Sequence, residues 1–476
     1  MNKQETQCEG INAQELKKRL DNNENTMIFD IRQKDRYESG HIPRSVFAEC
    51  NSQTQQQIMP RLPKDTKIVL VSDDDSYSSK MASFMKTAGL DAAYLKGGVS
   101  AWTWELETTP DEDITAKELK SKLDEGRQNL ILVDVREPEE YFEWHIAGSI
   151  NIPLSQVGKP KPIEKIPQSS DVVTICAKGN RSKVAKFVLA GNGIHAKSLE
   201  GGMESWTMTF ETAEKNYAID GKEITVVQAR RIGKGCMSYL VSSDGEAIVI
   251  DPVFPYDEYV KISEKNGWRI TNVCDTHQHA DHVSAAQSLA EKTGAVLNLS
   301  AYENYEFAHE PLYDSKELQV GSMKIKVIHT PGHTLGSLSF FIEDRLLFTG
   351  DTLFVDGVGR PDLRDDAEKF APILHDTLQK KLAVMSGNVH VFPAHGNTNQ
   401  KEIMSLKMVE IIDKVPFLKM SKEDFVRQIL VVTMPTPSNH TAIIDINKSG
   451  KKLSSNEANL LEIGPNRCSI TGKQER

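Results

Sequence analysis

The sequence predicts an α/β protein of three successive domains: two of one parallel-sheet type, then a larger one whose strands end in ligand-bearing loops. Three observations predict it. A block of about 100 residues, a length that can enclose its own core, occurs twice in the first half of the chain. Within each copy, apolar runs of strand length alternate with helical periodicity. In the second half, four apolar runs are each followed by a loop that carries histidine or aspartate. The expected boundaries are 1–109, 110–212 and 213–476.

A chain of 476 residues exceeds what a single core usually supports. Charged residues at 26% and apolar residues at 39% describe an ordinary globular composition. A net charge of -10 argues against nucleic acid or an anionic membrane as the main partner. The N-terminus lacks the basic start and apolar stretch of a signal peptide, and no run approaches the ~20 apolar residues that span a bilayer, so a cytoplasmic location is expected. The six cysteines show no C-x-x-C spacing. That excludes a disulfide framework or zinc knuckle and leaves reactive thiols free to act.

In chain order, Asn12 precedes a short amphipathic helix, and residues 26–32 read as a buried strand ending in Asp30 and Arg32. The second copy repeats this. Thr115 and Glu118 have capping-box spacing, and residues 130–136 form the strand that ends in Asp134 and Arg136. Tyr37, His41 and Ile42 recur as Tyr141, His145 and Ile146; Gly97, Gly98 and Trp102 recur as Gly201, Gly202 and Trp206. Between these motifs the copies diverge. The second has a strand at 172–175, a loop from Cys176 through Arg181 and Ser182, and a helix over 183–190. Such a loop aims a sulfur at backbone N–H groups and a helix N-terminus, with Arg181 nearby, which stabilises a thiolate or a persulfide. The first copy has the strand at 68–71 but places Asp73 opposite Cys176, beside Asp74 and Asp75. Three carboxylates repel an anion, and no nucleophile remains. The acidic, Pro110-containing stretch 106–113 and the charged stretch 210–221 read as joins.

In the third domain a strand at 270–274 leads to His277, His279, Asp281 and His282, too many buried ligand groups to tolerate without a cation. Further strands at 324–328, 345–349 and 388–392 precede His333, Asp351 and His395. If these strands share a sheet, all seven residues converge at one edge. Cys236 and Cys274 read as buried apolar residues rather than nucleophiles. Helices are expected over 402–412 and from Ser421, and the proline-rich stretch 434–439 reads as a rigid turn or a lid.

Asp-x-Arg, His-Ile and Gly-Gly-x-x-x-Trp, together with the Cys176 loop, resemble the rhodanese family, and imply that Cys176 and Arg181 transfer sulfane sulfur while the first copy is catalytically inactive. The His-x-His-x-Asp-His signature at 277–282 resembles the metallo-beta-lactamase superfamily from about residue 224 onward. That resemblance implies an αββα sandwich of two mixed sheets with the site at one edge. Two readings of the metal stay open on the residues alone. All seven ligands could hold two zinc ions over a bridging hydroxide for thioester hydrolysis, as in glyoxalase II. Alternatively, one Fe(II) could sit on two imidazoles and a carboxylate. Residues 350–363 resemble the persulfide dioxygenases, which implies one Fe(II) on His277, His333 and Asp351, with His279, Asp281, His282 and His395 around them and Arg360 steering the substrate. The implied partners are a small thiol persulfide, O2, and sulfite or thiosulfate. A carrier or sensor of sulfane sulfur without turnover is a third reading, and the inactive copy offers a surface for self-association into a homo-oligomer.

Overall fold

The computed structural model describes residues 8–471 except 23, 49–57, 63, 65, 109–112, 127–128, 168, 363–365, 397–401, 432–438 and 465–467. Pro110, Cys50 and most of the proline-rich stretch 434–439 therefore lie outside the described residues. The chain divides into two compact units, Met1–Trp206 and Thr207–Arg476.

In the first unit, β1 (Gly10–Ile11), β2 (Thr26–Asp30), β3 (Ser45–Phe47), β4 (Lys67–Val71) and β5 (Ala92–Leu95) form a parallel sheet in the order β1-β5-β4-β2-β3. The second copy forms another, in the order β7-β6-β8-β9, from β6 (Leu130–Asp134), β7 (Ile150–Asn151), β8 (Asp171–Ile175) and β9 (Ala196–Ser198). Every residue of β2 is buried, as a parallel strand covered on both faces requires. The helices start where their polar caps put them. Asn12 accepts from the Glu15 N–H ahead of Ala13–Asp21, and Thr115 and Glu118 close the expected capping box ahead of Ala116–Asp124. One apolar core runs through both copies, from Met27, Phe29 and Leu70 to Val133, Val172 and Leu189.

The repeated motifs are structural anchors. The Asp30 and Asp134 carboxylates each grip the arginine two residues on, and Arg32 and Arg136 then donate to the Gly40 and Trp144 carbonyls. Tyr37 stacks on His41 at 4.1 Å and Tyr141 on His145 at 3.9 Å between ring centroids. The second glycine of each Gly-Gly pair has positive φ, and a Cβ there would lie 2.4 Å from the Ser72 carbonyl oxygen at Gly98 and 2.2 Å from the Cys176 carbonyl oxygen at Gly202. Only glycine lets the backbone approach the loop this closely.

The second unit is the expected sandwich. One sheet runs β10 (Phe210–Ile219), β11 (Lys222–Arg231), β12 (Cys236–Ser243), β13 (Glu246–Ile250), β14 (Arg269–Cys274), β15 (Val296–Ser300) and β16 (Glu310–Leu312), antiparallel to β13 and parallel beyond. The other contains β17 (Glu317–Val320), β18 (Met323–His329), β19 (Leu338–Ile342), β20 (Leu346–Gly350), β22 (His390–Pro393) and β23 (Leu406–Lys407); β21 (Gly357–Gly359) pairs separately with β24 (Ser469–Thr471). Along β18, Met323, Ile325 and Val327 turn inward while Lys324 and Lys326 are exposed, the alternation of a strand with one wet face. The inner faces meet through Val226, Val241, Ile248, Ile325, Phe340 and Phe348. Tyr259, Ala286 and Leu289 from helices cover one outer face, and Ala371, Leu374 and Phe425 cover the other.

Two expectations are corrected. The stretch 210–221 is no join: it is the ten-residue edge strand β10 and its hairpin turn, in which Asp220 and Gly221 both take positive φ. Its charges are those of a strand whose outer side meets water. The helix expected over 402–412 begins only at Met408 and runs to Lys414. Ahead of it the chain is extended, because Gln228 bonds both the N–H and the carbonyl of Met404, and Leu406–Lys407 pairs with β22.

Candidate metal centre and sulfur site

His277, His279, Asp281, His282, His333, Asp351 and His395 gather in one buried cluster, each no more than 5% exposed. They arrive from the loops after β14, β18, β20 and β22, so each strand delivers its ligand to the same edge of the sandwich. His277, His333 and Asp351 form one group whose ligand atoms all lie within 4.8 Å of one another, and His279, Asp281 and His282 form another. Nε2 of His277 and of His333 stand 3.7 and 3.5 Å from the same Asp351 oxygen, with the two rings nearly perpendicular.

The surroundings fix which nitrogen each ring presents. Thr276 donates its hydroxyl to Asp251 and so accepts from Nδ1 of His277, 2.9 Å away. His333 donates from Nδ1 to the Arg360 carbonyl at 2.7 Å. Both rings therefore turn an unprotonated Nε2 toward Asp351, the arrangement in which a partner behind the ring sets the ligand tautomer. The Nε2 atom of His277 makes no hydrogen bond. A buried, unpaired ring nitrogen facing a carboxylate fits a divalent cation.

His395 Nε2 lies 3.1 Å from Asp351 and 3.6 Å from Asp281, and His282 Nδ1 lies 3.0 Å from Asp281. Burial alone would depress these imidazoles, but the adjoining carboxylates outweigh it and hold His282 and His395 well above the ordinary histidine range. Burial and the neighbouring His279 push His277 well below it. The cluster thus carries exchangeable protons where a cation would place its charge, so metal uptake should release protons. His279 turns away, with Nε2 3.2 Å from Asp251 and 3.9 Å from Asp275. Burial raises the Asp275 carboxyl to about 6.

Arg360 is buried beside the cluster, clamped by Asp362 at 2.7 and 2.6 Å, and its backbone orients His333. Two cysteines also enter the site. Cys274 is a core residue as expected, but Cys236 Sγ lies 3.3 Å from Asp281, and burial of the thiol is outweighed by the adjacent imidazoles, which bring it down to about 7. Cys468 stands with Asp351 and His395. The start of β12 gave no sign of this in sequence, because it faces the ligands only across the sheet edge.

In the first unit, Cys176 directly follows β8 and receives the Gly179 N–H at 3.1 Å, with the Ser182 hydroxyl 3.4 Å away, ahead of the helix Asn180–Gly191. Arg181 is buried and makes a two-pronged pair with Glu140 at 2.7 Å. The corresponding loop of the first copy is built differently. Asp73 pairs with Arg36, Asp74 caps the next helix and Asp75 accepts the Gly97 N–H, so the acids are engaged in holding the loop.

Residues 231–395 match the family pattern of the metallo-beta-lactamase superfamily, and residues 12–105 and 115–209 each match that of the rhodanese-like domain. A hydroxyacylglutathione hydrolase of Nitrosococcus oceani is 32% identical over 165 residues, covering 33% of this chain and 61% of its own length. The chain therefore spans less than two thirds of that relative. The mitochondrial persulfide dioxygenase ETHE1 of Bos taurus is 26% identical over 194 residues, covering 40% of this chain and 74% of its own. Among solved structures, ETHE1 from Myxococcus xanthus is 28% identical with a TM-score of 0.44, covering 47% of this chain and 98% of that one.

Proposed function

We propose, for a chain that carries two rhodanese-like domains and a metallo-beta-lactamase domain, that it oxidises a low-molecular-weight thiol persulfide with O2 and exchanges sulfane sulfur through Cys176. The observation that carries the reading is the His277, His333 and Asp351 group, two oriented imidazoles and one carboxylate. That donor set suits one Fe(II) with positions left open for reactants. The overall change balances as R–S–SH + O2 + H2O → R–SH + SO3²⁻ + 2 H⁺.

A bound ferrous ion supplies the redox chemistry by which both oxygen atoms reach the terminal sulfur. The chain's own residues orient and balance charge. Asp251, through Thr276, holds His277 in the ligating tautomer, and the Arg360 carbonyl does the same for His333. Arg360 is a cation beside the centre, and because Asp362 already pairs with its guanidinium, it would take up an anionic substrate only by sharing or releasing that partner. His279, Asp281, His282 and His395 surround the centre; the His282 and His395 imidazoles carry protons, and the Asp281 carboxylate, held well below its usual range, balances them. At Cys176 the Gly179 N–H supports an anionic sulfur. Sulfite attacks the outer sulfur of a Cys176 persulfide, the S–S bond breaks, and thiosulfate leaves with the thiol restored; the reverse direction uses the same atoms. The first copy, with Asp73 at the position of Cys176, serves as scaffold.

Two zinc ions on all seven ligands, hydrolysing a thioester, is the second reading, favoured by the completeness of the ligand set and by hydrolases such as that of N. oceani among the relatives. Elemental analysis of anaerobically purified protein, with O2 uptake on glutathione persulfide measured on the same sample, separates the two. About one iron per chain with uptake is expected; about two zincs, no uptake and cleavage of an S-lactoylglutathione-like ester would move the function to hydrolysis. Cys176→Ser should abolish thiosulfate exchange and leave uptake intact.

A further inference from the structure

The loop that carries the ligands has no regular structure after Cys274, so its backbone groups need partners from elsewhere. Two side chains more than 150 residues downstream supply them. Asn447, on the helix His440–Ser449, donates from Nδ2 to the carbonyls of both His279 and His282 at 2.9 Å, and its Oδ1 accepts the Ser284 N–H at 2.9 Å. Glu462, at the end of the helix Ser455–Glu462, accepts the Val283 N–H at 2.8 Å. Both are almost wholly buried. Glu462 is itself fixed by an ion pair with Arg231 and by Lys234, whose ammonium donates to the Glu462 carbonyl at 2.6 Å.

We infer that Asn447 and Glu462 are positioning residues: they set the backbone of 279–284, and through it the ligand rings, without touching the reacting atoms. An amide is the side chain that can serve two carbonyls and one N–H from a single position. Leucine would leave three buried backbone groups without partners. Aspartate would keep the Ser284 bond but set a carboxylate against two carbonyls. Partners of this kind, one step behind the ligands, tune metal affinity by orienting what they hold. The inference rests on residues 277–282 holding a metal: His279 and His282 are themselves ligands in the two-zinc reading, and in the one-iron reading their rings pack in a row against the ligand His277, with centroids 4.1 and 4.2 Å apart.

The test uses the full chain and Co(II), with affinity measured by chelator competition and geometry by the visible spectrum of the bound ion. Asn447→Leu should bind Co(II) about 10–100-fold more weakly than the parent and shift the visible bands. Ile446→Ala, which loosens the apolar packing of the same helix on a cluster that includes Val283 but leaves the three Asn447 hydrogen bonds in place, should stay within about twofold. Asn447→Asp should fall with the leucine variant, and decides the matter alone if that variant does not accumulate as folded protein. Equal loss in Ile446→Ala and Asn447→Leu, or unchanged affinity in both Asn447 variants, would reduce Asn447 to ordinary packing. A parent protein that binds no Co(II) would instead overturn the metal reading itself.

Discussion

Thr276 shows how much one hydroxyl decides: by donating to Asp251 it can only accept from His277, and the ring's other nitrogen is left for the centre. A sequence reading finds the histidine but not the tautomer, since Asp251 lies 25 residues earlier and meets Thr276 only across the sheet. Cys236 is buried as expected, but its place beside Asp281 and His395 was not legible, because no ligand-type residue stands next to it in sequence. Arg181 was legible as a cation near Cys176; its partner was not. Burial pushes the Glu140 carboxyl up, but the Arg181 guanidinium more than offsets this and holds it below the usual carboxylate range. A depressed carboxylate contributes stability above its unfolded value of ~4.3, and that contribution is lost as pH falls through the folded value. Glu140→Gln should therefore destabilise by about 1–3 kcal/mol at pH 7, and thermal scans of parent and variant should converge only as the pH falls through the depressed folded value.

At the scale of the element, strand ends do the positioning. Gly350 closes β20 with φ +53, and a Cβ there would lie 2.4 Å from the Thr276 hydroxyl oxygen. The glycine thus lets the Asp351 loop pack on the residue that orients His277. Gly350→Ala should cost about 1–3 kcal/mol in overpacking and, more tellingly, lower metal content at a given free metal concentration, measured by equilibrium dialysis. Strands and caps were legible where local signals agreed: Thr115 with Glu118, and Ser421, whose hydroxyl accepts the Asp424 N–H. They failed at 210–221 and 402–407, where polar sequence without a clear period is held extended by a neighbouring strand and by Gln228.

At the scale of the molecule, the ligands all belong to the second compact unit and the Cys176 loop to the first. A cation that binds only the folded second unit stabilises that unit, by ~2.7 kcal/mol at a hundredfold excess over its dissociation constant. Calorimetry with and without a chelator should accordingly move one transition and leave the other in place. A shift of both would mean that the units unfold as one. Among the described residues no helix is long and apolar enough to cross a membrane.

The sequence by itself determined the duplicated parallel-sheet architecture, the presence of Asp73 where the second copy has Cys176, and the seven residues that form the cluster. Those are properties of local period and of chemically distinctive side chains. Only the tertiary structure decided that Cys236 and Cys468 join the ligands, which nitrogen each imidazole presents, and that Asn447 and Glu462 hold the ligand loop. Such assignments depend on hydrogen bonds and charge balance between segments far apart in the chain, and in a buried site each polar group is settled by the partner it meets in space.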